Sequence, residues 1–311
     1  MTSPPTFSIV MPVFNASATL MKSVLSVQAQ TFRNWELILV DDGSTDDTLN
    51  VALELEARDE RIRVTTQENA GPAAARNTGI KMARGRLVAF LDADDRWHRD
   101  RLDACLAHFS RNPQVGVVFS RVAFLDQNGE PARQPSPHHP VLDAQHLLSE
   151  NPVCTTSNIV ARASLINEIG GFKRKMAYIE DQDFLFRAAS KTSFTLEGLD
   201  RVLLDYQMTD CSRSSDLART ARSWRIFMAG ARAIAPQLVD PIWRPLLADF
   251  HRNQARRALR SGLPATALNL ISRACAADPM ILIRMPRRIG LTLLASIAMF
   301  LPIPHIKEYV R

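Results

Sequence analysis

An apolar run ends in three carboxylates: Val88-Ala89-Phe90-Leu91-Asp92-Ala93-Asp94-Asp95-Arg96-Trp97. Unpaired carboxylates are costly to desolvate, so this much negative charge has no place inside a buried strand. The acids must stand at a strand end, in a cleft, opposite something positive. A Mg²⁺ or Mn²⁺ ion held by one or two carboxylates together with phosphate oxygens meets that need. The segment therefore points to metal-dependent chemistry on a phosphate ester. Two more polar clusters follow apolar runs in the same way, Asn15 after residues 7–13 and Asp41-Asp42 after residues 35–40.

The elements that must position these groups alternate in type. Residues 7–13 read as a short strand, 17–30 as a helix with Leu20, Val24 and Val27 on one face, and 35–40 as a second buried strand. Asp46 reads as the N-cap of a helix carrying Leu49, Ala52, Leu53 and Leu55. A strand over 62–65, a helix over 73–83 and the acid-bearing strand over 86–91 complete the first hundred residues. This order predicts an α/β fold with a mostly parallel sheet flanked by helices on both faces. In such sheets ligands collect at the carboxyl ends of the strands, which brings Asn15, Asp41, Asp42, Asp92 and Asp94 to one edge. Further on come a strand pattern over 115–125, a loop rich in Pro and His over 131–140, and a helix over 164–169 before Gly170-Gly171-Phe172.

Five segments then stand in a telling order: Ser8-Ile9-Val10-Met11-Pro12-Val13-Phe14-Asn15, Leu39-Val40-Asp41-Asp42-Gly43-Ser44-Thr45-Asp46, Gly71-Pro72-Ala73-Ala74-Ala75-Arg76-Asn77-Thr78-Gly79, Phe90 to Asp95, and Gly170-Gly171-Phe172 with Glu180-Asp181. Together they resemble the family 2 inverting glycosyltransferases with the GT-A fold, over roughly residues 6–212. The resemblance implies a Rossmann-like sheet and a nucleotide-sugar donor, with UDP favoured. It implies substrate-binding roles for Pro12, Asn15, Asp41, Asp42, Arg76, Asp92 and Glu180, with Asp41 accepting a hydrogen bond from the base. Arg76 reaches the base or phosphates, or else pairs with a nearby acid on the surface. Asp94 is the implied direct metal ligand, and Asp92 the ribose contact or a carboxylate standing behind the metal's own ligands. Asp181 matches the base that deprotonates an acceptor hydroxyl, because an inverting transfer is one displacement and needs one such carboxylate. Glu180 either touches the acceptor or supports Asp181. Asp183 and Arg187 fit packing better than chemistry. Where the family often has Tyr-Arg-x-His, this chain has Tyr206-Gln207-Met208-Thr209, so a histidine that could approach the metal is replaced by Thr209. The fold also permits a non-catalytic nucleotide-sugar binder, and the metal-phosphate pattern permits a nucleotidyltransferase.

Composition sets the outer bounds. With 46% hydrophobic and 23% charged residues, wholesale disorder is excluded. The four cysteines, Cys105, Cys154, Cys211 and Cys275, show neither metal spacing nor a disulfide pattern, and residues 1–14 show no secretory leader, so a cytoplasmic protein is expected. Charge divides sharply: residues 1–217 hold 23 Lys+Arg against 28 Asp+Glu, and residues 218–311 hold 15 against 4, or net −5 and +11. The texture turns Arg- and Ala-rich past Asp216, which predicts a catalytic domain over 1–216 and a basic helical C-terminal region over 217–311. No aromatic-plus-basic platform accompanies that charge, so nucleic acid is not an expected partner. Residues 253–279 are similar to one helix-turn-helix repeat of the tetratricopeptide kind, although one unit cannot bury its own face. The apolar stretch 289–303 is about 22 Å long as a helix, short of a ~30 Å hydrocarbon core. Flanked by Arg287-Arg288 and Lys307, the segment 287–307 suits a membrane interface, at the inner face of the cell membrane, or a helix docked on protein. The expected acceptor is a saccharide or a lipid-linked hydroxyl, in cell-surface polysaccharide or glycolipid synthesis.

Overall fold

The computed structural model describes residues 4–176, 178–208 and 216–299, so Thr209, Cys211 and residues 300–307 of the segment 287–307 lie outside the described residues. The chain divides into two compact units, Met1–Asp210 and Cys211–Arg311. The first unit runs β1 (Phe7–Val13), α1 (Leu20–Gln28), β2 (Trp35–Asp41), α2 (Thr48–Arg58), β3 (Ile62–Thr66), α3 (Pro72–Met82), β4 (Leu87–Phe90), β5 (Arg96–Trp97), α4 (Arg101–Arg111), β6 (Val115–Leu125), β7 (Pro131–Arg133), β8 (Val141–Leu142), α5 (His146–Ser149), β9 (Val160–Arg162), α6 (Ala163–Ile169), α7 (Glu180–Lys191) and β10 (Thr195–Gln207).

One sheet carries the strands in the order β3-β2-β1-β4-β9-β6-β10-β5. The first four pair in parallel, as do β6 and β10, and β9 runs antiparallel between β4 and β6 to join the two groups. This is the mostly parallel α/β sheet that the alternation of elements predicts. Every residue of β2 is buried, as a strand covered on both faces requires. Period two sorts its side chains. Leu37 and Leu39 join Ile9, Met11, Val24 and Ala52 in the main core, while Ile38 and Val40 turn to the opposite face against Ala75 of α3. The long strand β10 has no counterpart in the sequence reading. Asp46 also stands one residue before the N-cap position of α2, where it accepts the Thr48 N–H at 3.0 Å and the Ser17 hydroxyl at 2.7 Å.

The second unit is helical: α8 (Leu217–Ile234), α9 (Pro236–Val239), α10 (Trp243–Arg260), α11 (Pro264–Ala277), α12 (Ile281–Arg284) and α13 (Pro286–Ala298). Asp216 caps α8 by accepting the Arg219 N–H at 2.9 Å. The helix-turn-helix of the sequence reading is α10 and α11, which meet through small side chains, Ala255, Ala258, Ala267 and Ala274. α13 packs on both, so the hairpin is core packing and not part of an array. Among the described residues no helix is long and apolar enough to cross a membrane.

α3 carries Arg76, and it reaches its place only because Gly79 lets it lie against β1. A Cβ at Gly79 would come within 2.4 Å of Val10 Cγ1. We expect Gly79→Ala to lower unfolding stability by about 1–3 kcal/mol in urea titration, despite the gain in helix propensity. Val10→Ala should relieve part of that loss in the double variant, and a neutral Gly79→Ala would contradict the packing described.

Candidate active site

Strands β2, β1 and β4 are parallel neighbours, so their carboxyl ends share one edge of the sheet. Immediately after β4 the backbone turns, with the Asp95 N–H donating to Asp92 O at 3.2 Å. Ser157, in a short turn between β8 and β9, fastens the bend: its Oγ accepts the Asp92 N–H at 2.9 Å and its carbonyl accepts the Trp97 indole N–H at 3.0 Å. Asp94 stands exposed, Asp92 is half-buried and Asp95 is buried. The Gln207 N–H reaches Asp95 Oδ1 at 3.2 Å, whereas its Oδ2 is buried with no hydrogen-bond partner. Burial, then the charges of Asp94 and Asp92, hold the Asp95 carboxyl well above the usual carboxylate range. Tyr206 of β10 faces the same group. Burial raises its hydroxyl, and Asp95, Asp94, Asp92 and Asp181 add to the rise.

Arg76 is the cation that meets these acids. It is 2% exposed, and its guanidinium donates to Asp92 Oδ1 at 2.6 Å and to Glu180 Oε1 at 3.0 Å. Burial alone would lower its pKa, but the two carboxylates outweigh burial and raise it. Arg76 is thus neither a surface ion pair nor a side chain standing clear in a cleft: it ties the end of β4 to the start of α7. Its neighbour Asn77 clamps the Gly-Gly-Phe turn, donating to Phe172 O at 2.7 Å and accepting the Phe172 N–H at 2.9 Å. Gly171 has φ +70°, and a Cβ there would lie 2.6 Å from Asn77 Oδ1, so both conformation and approach require glycine. Asp183 and Arg187 pair at 2.6 Å, and Arg187 donates to the carbonyls of Ile169 and Gly171, each at 2.7 Å.

Asp181 occupies the first turn of α7, which the chain enters through Ile179 at φ 68°. Its Oδ1 accepts the Gln182 N–H at 2.7 Å and its Oδ2 accepts the Asn151 amide N–H at 2.7 Å. Burial, then the adjacent Glu180 charge, push its carboxyl up to about 7. At the end of β2, Asp41 is 3% exposed. One oxygen accepts the Ser44 N–H at 3.2 Å, and the other, Oδ1, is buried without a partner.

Other residues singled out from the sequence serve the loops. Asp42 accepts from Gln67 Nε2, the Ala70 N–H and the Gly71 N–H at 2.6, 3.0 and 2.8 Å, so both its oxygens hold the approach to α3. Asn15, at φ 49°, accepts the Thr45 N–H at 2.8 Å and joins the loops after β1 and β2. Pro12 lies within β1 opposite Val40 of β2. The cluster therefore gathers Arg76, Asp92, Asp94, Glu180 and Asp181, with Asp41 at the end of β2, two strands away along the same sheet edge. Asn151, Ser157 and Asp95 are additions. Asp95 is visible as the third acid of the run and Ser157 only as the start of the segment 157–160, with nothing to mark its role, while Asn151 falls in a stretch without periodicity.

Among the described residues no three His, Cys, Asp or Glu side chains converge to hold a metal unaided. The donor set nonetheless fits a hard cation. The exposed Asp94 carboxylate lies close enough to Asp92 and Asp95 to raise the latter's proton affinity, and phosphate oxygens would complete a Mg²⁺ or Mn²⁺ shell.

Because the folded chain binds the Asp181 proton more tightly than the unfolded chain, ionised Asp181 withdraws stability as pH rises from about 4 to about 7. The stability of Asp181→Asn relative to wild type should therefore rise across that window, on top of any fixed offset from the amide. Urea titrations of both proteins at several pH values check this, and a pH-independent difference would contradict it.

Residues 8–170 match the family model of glycosyl transferase family 2. The chain is 31% identical over 227 residues to TuaG of Bacillus subtilis, a glycosyltransferase assigned to teichuronic acid biosynthesis, covering 72% of this chain and 87% of that one. It is 40% identical over 122 residues to WfgD of Escherichia coli, a UDP-Glc:alpha-D-GlcNAc-diphosphoundecaprenol beta-1,3-glucosyltransferase, covering 39% of this chain and 47% of the relative. The fold is shared with the mannosyltransferase PcManGT from Pyrobaculum calidifontis in complex with GDP-Man and Mn²⁺, at TM-score 0.62 and 18% identity over 96% of this chain and 86% of that one. It is shared too with S. aureus TarS 1–349 in complex with UDP-GlcNAc, at TM-score 0.58 and 19% identity over 86% and 89%. A family match across more than half of the 311 residues, on a sheet edge built from the same motifs, shows that the chain belongs to glycosyl transferase family 2.

Proposed function

We propose that this glycosyltransferase moves a sugar, with inversion, from a nucleoside diphosphate donor to a hydroxyl of a saccharide or lipid-linked acceptor in cell-surface polysaccharide or glycolipid synthesis. The observation that carries the reading is Asp181: a carboxyl raised to about 7, held by Asn151, and neighbouring a separate group of acids. A general base works best with a pKa near the operating pH. Asp181 takes the proton of the acceptor hydroxyl as its oxygen bonds to the anomeric carbon, and the bond from that carbon to the diphosphate breaks with its electron pair leaving on the diphosphate. Asp41 Oδ1, buried and unpartnered, supports a base that offers a ring N–H, as uracil and guanine both do, and of these the resemblance to the family favours UDP. Asp92, oriented by Arg76, is our ribose contact. Asp94 is the residue we assign to a Mg²⁺ or Mn²⁺ ion, which when bound supplies charge neutralisation for the departing diphosphate. Glu180 acts by positioning, through Arg76 and through its charge on Asp181. The scattered cysteines, free among the described residues, support a cytoplasmic setting.

Thermal unfolding against a panel of nucleotide sugars tests the donor. A UDP-sugar with Mn²⁺ should raise the melting temperature most, since a ligand at a hundred times its Kd adds about 2.7 kcal/mol. Asp94→Asn should remove the Mn²⁺-dependent part. Asp181→Asn should keep donor binding and lose transfer by about 10²–10⁴-fold, and unchanged turnover in that variant would overturn the base assignment.

A further inference from the structure

The face that α13 buries is its less apolar one. Thr292 and Ser296 turn inward with Ile289, 4% and 0% exposed against 3%. Their hydroxyls are satisfied inside the helix, Thr292 Oγ1 donating to Arg288 O at 2.8 Å and Ser296 Oγ to Thr292 O at 2.7 Å. Leu291, Leu294 and Ile297 occupy the outward face at 68%, 65% and 47% exposure. A helix placed only to complete its own core would turn its leucines inward. The preceding segment continues the pattern, with Met280, Leu282 and Ile283 exposed. Of the fourteen large apolar side chains exposed among the described residues, seven lie within 280–297, so this is a patch and not the usual scatter.

Charge says what the patch meets. Between Asp278 and Glu308 every charged residue is a cation, Arg284, Arg287, Arg288 and Lys307. Arg287 and Arg288 stand exposed in the first turn of α13, the end of a helix where the backbone dipole disfavours cations, and for Arg287 the helix's own stability does not account for that placement. Apolar side chains flanked by arginines match a surface that is anionic outside and hydrocarbon just beneath. Thirteen residues make a helix about 20 Å long, too short to span a ~30 Å core and long enough to lie along it.

We propose that the outward face of α12 and α13 is a docking surface for an anionic lipid bilayer, with α13 lying in the plane of the interface. The proposal rests on this face alone and is independent of the transfer chemistry.

Cosedimentation of the full chain with phosphatidylcholine vesicles, with and without phosphatidylglycerol, tests it. The wild-type chain should partition onto the mixed vesicles, less so as salt is raised. The triple variant Leu291→Ser, Leu294→Ser, Ile297→Ser should lower that partition by about tenfold or more. Arg287→Gln with Arg288→Gln should lower it by about tenfold on anionic vesicles and leave any neutral-vesicle binding unchanged. Because Leu291, Leu294 and Ile297 are exposed, the triple variant should melt with the wild type and keep its mass by light scattering. Partition equal in wild type and triple variant overturns the proposal. A wild-type dimer that the triple variant dissolves overturns it in favour of a second copy, and a lowered melting temperature shows that the face is already covered within the chain and overturns it as well.

Discussion

Arg76 is a cation with almost no access to water, and a buried charge is tolerated only against opposite charge. Asp92 and Glu180 provide that charge from two points far apart in sequence, the end of β4 and the start of α7. Removing one partner of a fully buried pair costs about 3–5 kcal/mol, and less here because Asp92 keeps 21% of its surface. The clamp therefore fixes the turn that presents Asp94 and Asp95, and it fixes the helix that presents Asp181. Burial does most to raise the proton affinity of Asp181, and the clamp adjusts it, since Glu180 raises it and Arg76 lowers it. One guanidinium thus pairs with Asp92 and Glu180 and leaves Asp94, Asp95 and Asp181 outside its hydrogen bonds.

Most of the remaining motif residues hold backbone. Asp42 carries the loop into α3, Asn15 joins two strand-end loops, Asn77 grips Phe172, and Arg187 grips the turn before it. Side chain to backbone bonds of this kind immobilise loops that have no ladder of their own. What they leave open is informative: Asp41 Oδ1 and Asp95 Oδ2 are buried and unpartnered, and such atoms in a native structure call for a ligand, an ion or a proton.

The parallel half of the sheet was legible because β1, β2 and β4 are buried on both faces and read as largely apolar runs, broken only by Ser8 and Glu36, that end in polar residues. β10 was not legible. Charged residues interrupt it at Glu197, Asp200, Arg201 and Asp205, and its register on β6 slips between Leu199 and Val202 and again before Leu204, which erases period two. The acids of the site were visible as types in a pattern, yet the direction in which Arg76 points depends on Glu180, more than a hundred residues away. Asn151 touches Asp181 only through the folded chain, from a segment whose residues carry no repeat of their own.

The pH dependence of kcat/KM for sugar transfer, in wild type and in Glu180→Gln, tests the electrostatics and the chemistry of this site together. The rate of the free enzyme should rise with pH through a midpoint near 7 as Asp181 ionises, and Glu180→Gln should move that midpoint to lower pH by removing the like charge. A profile flat from about pH 5 to about pH 8, or a midpoint that Glu180→Gln leaves in place, would contradict Asp181 as a base tuned by the Arg76 clamp.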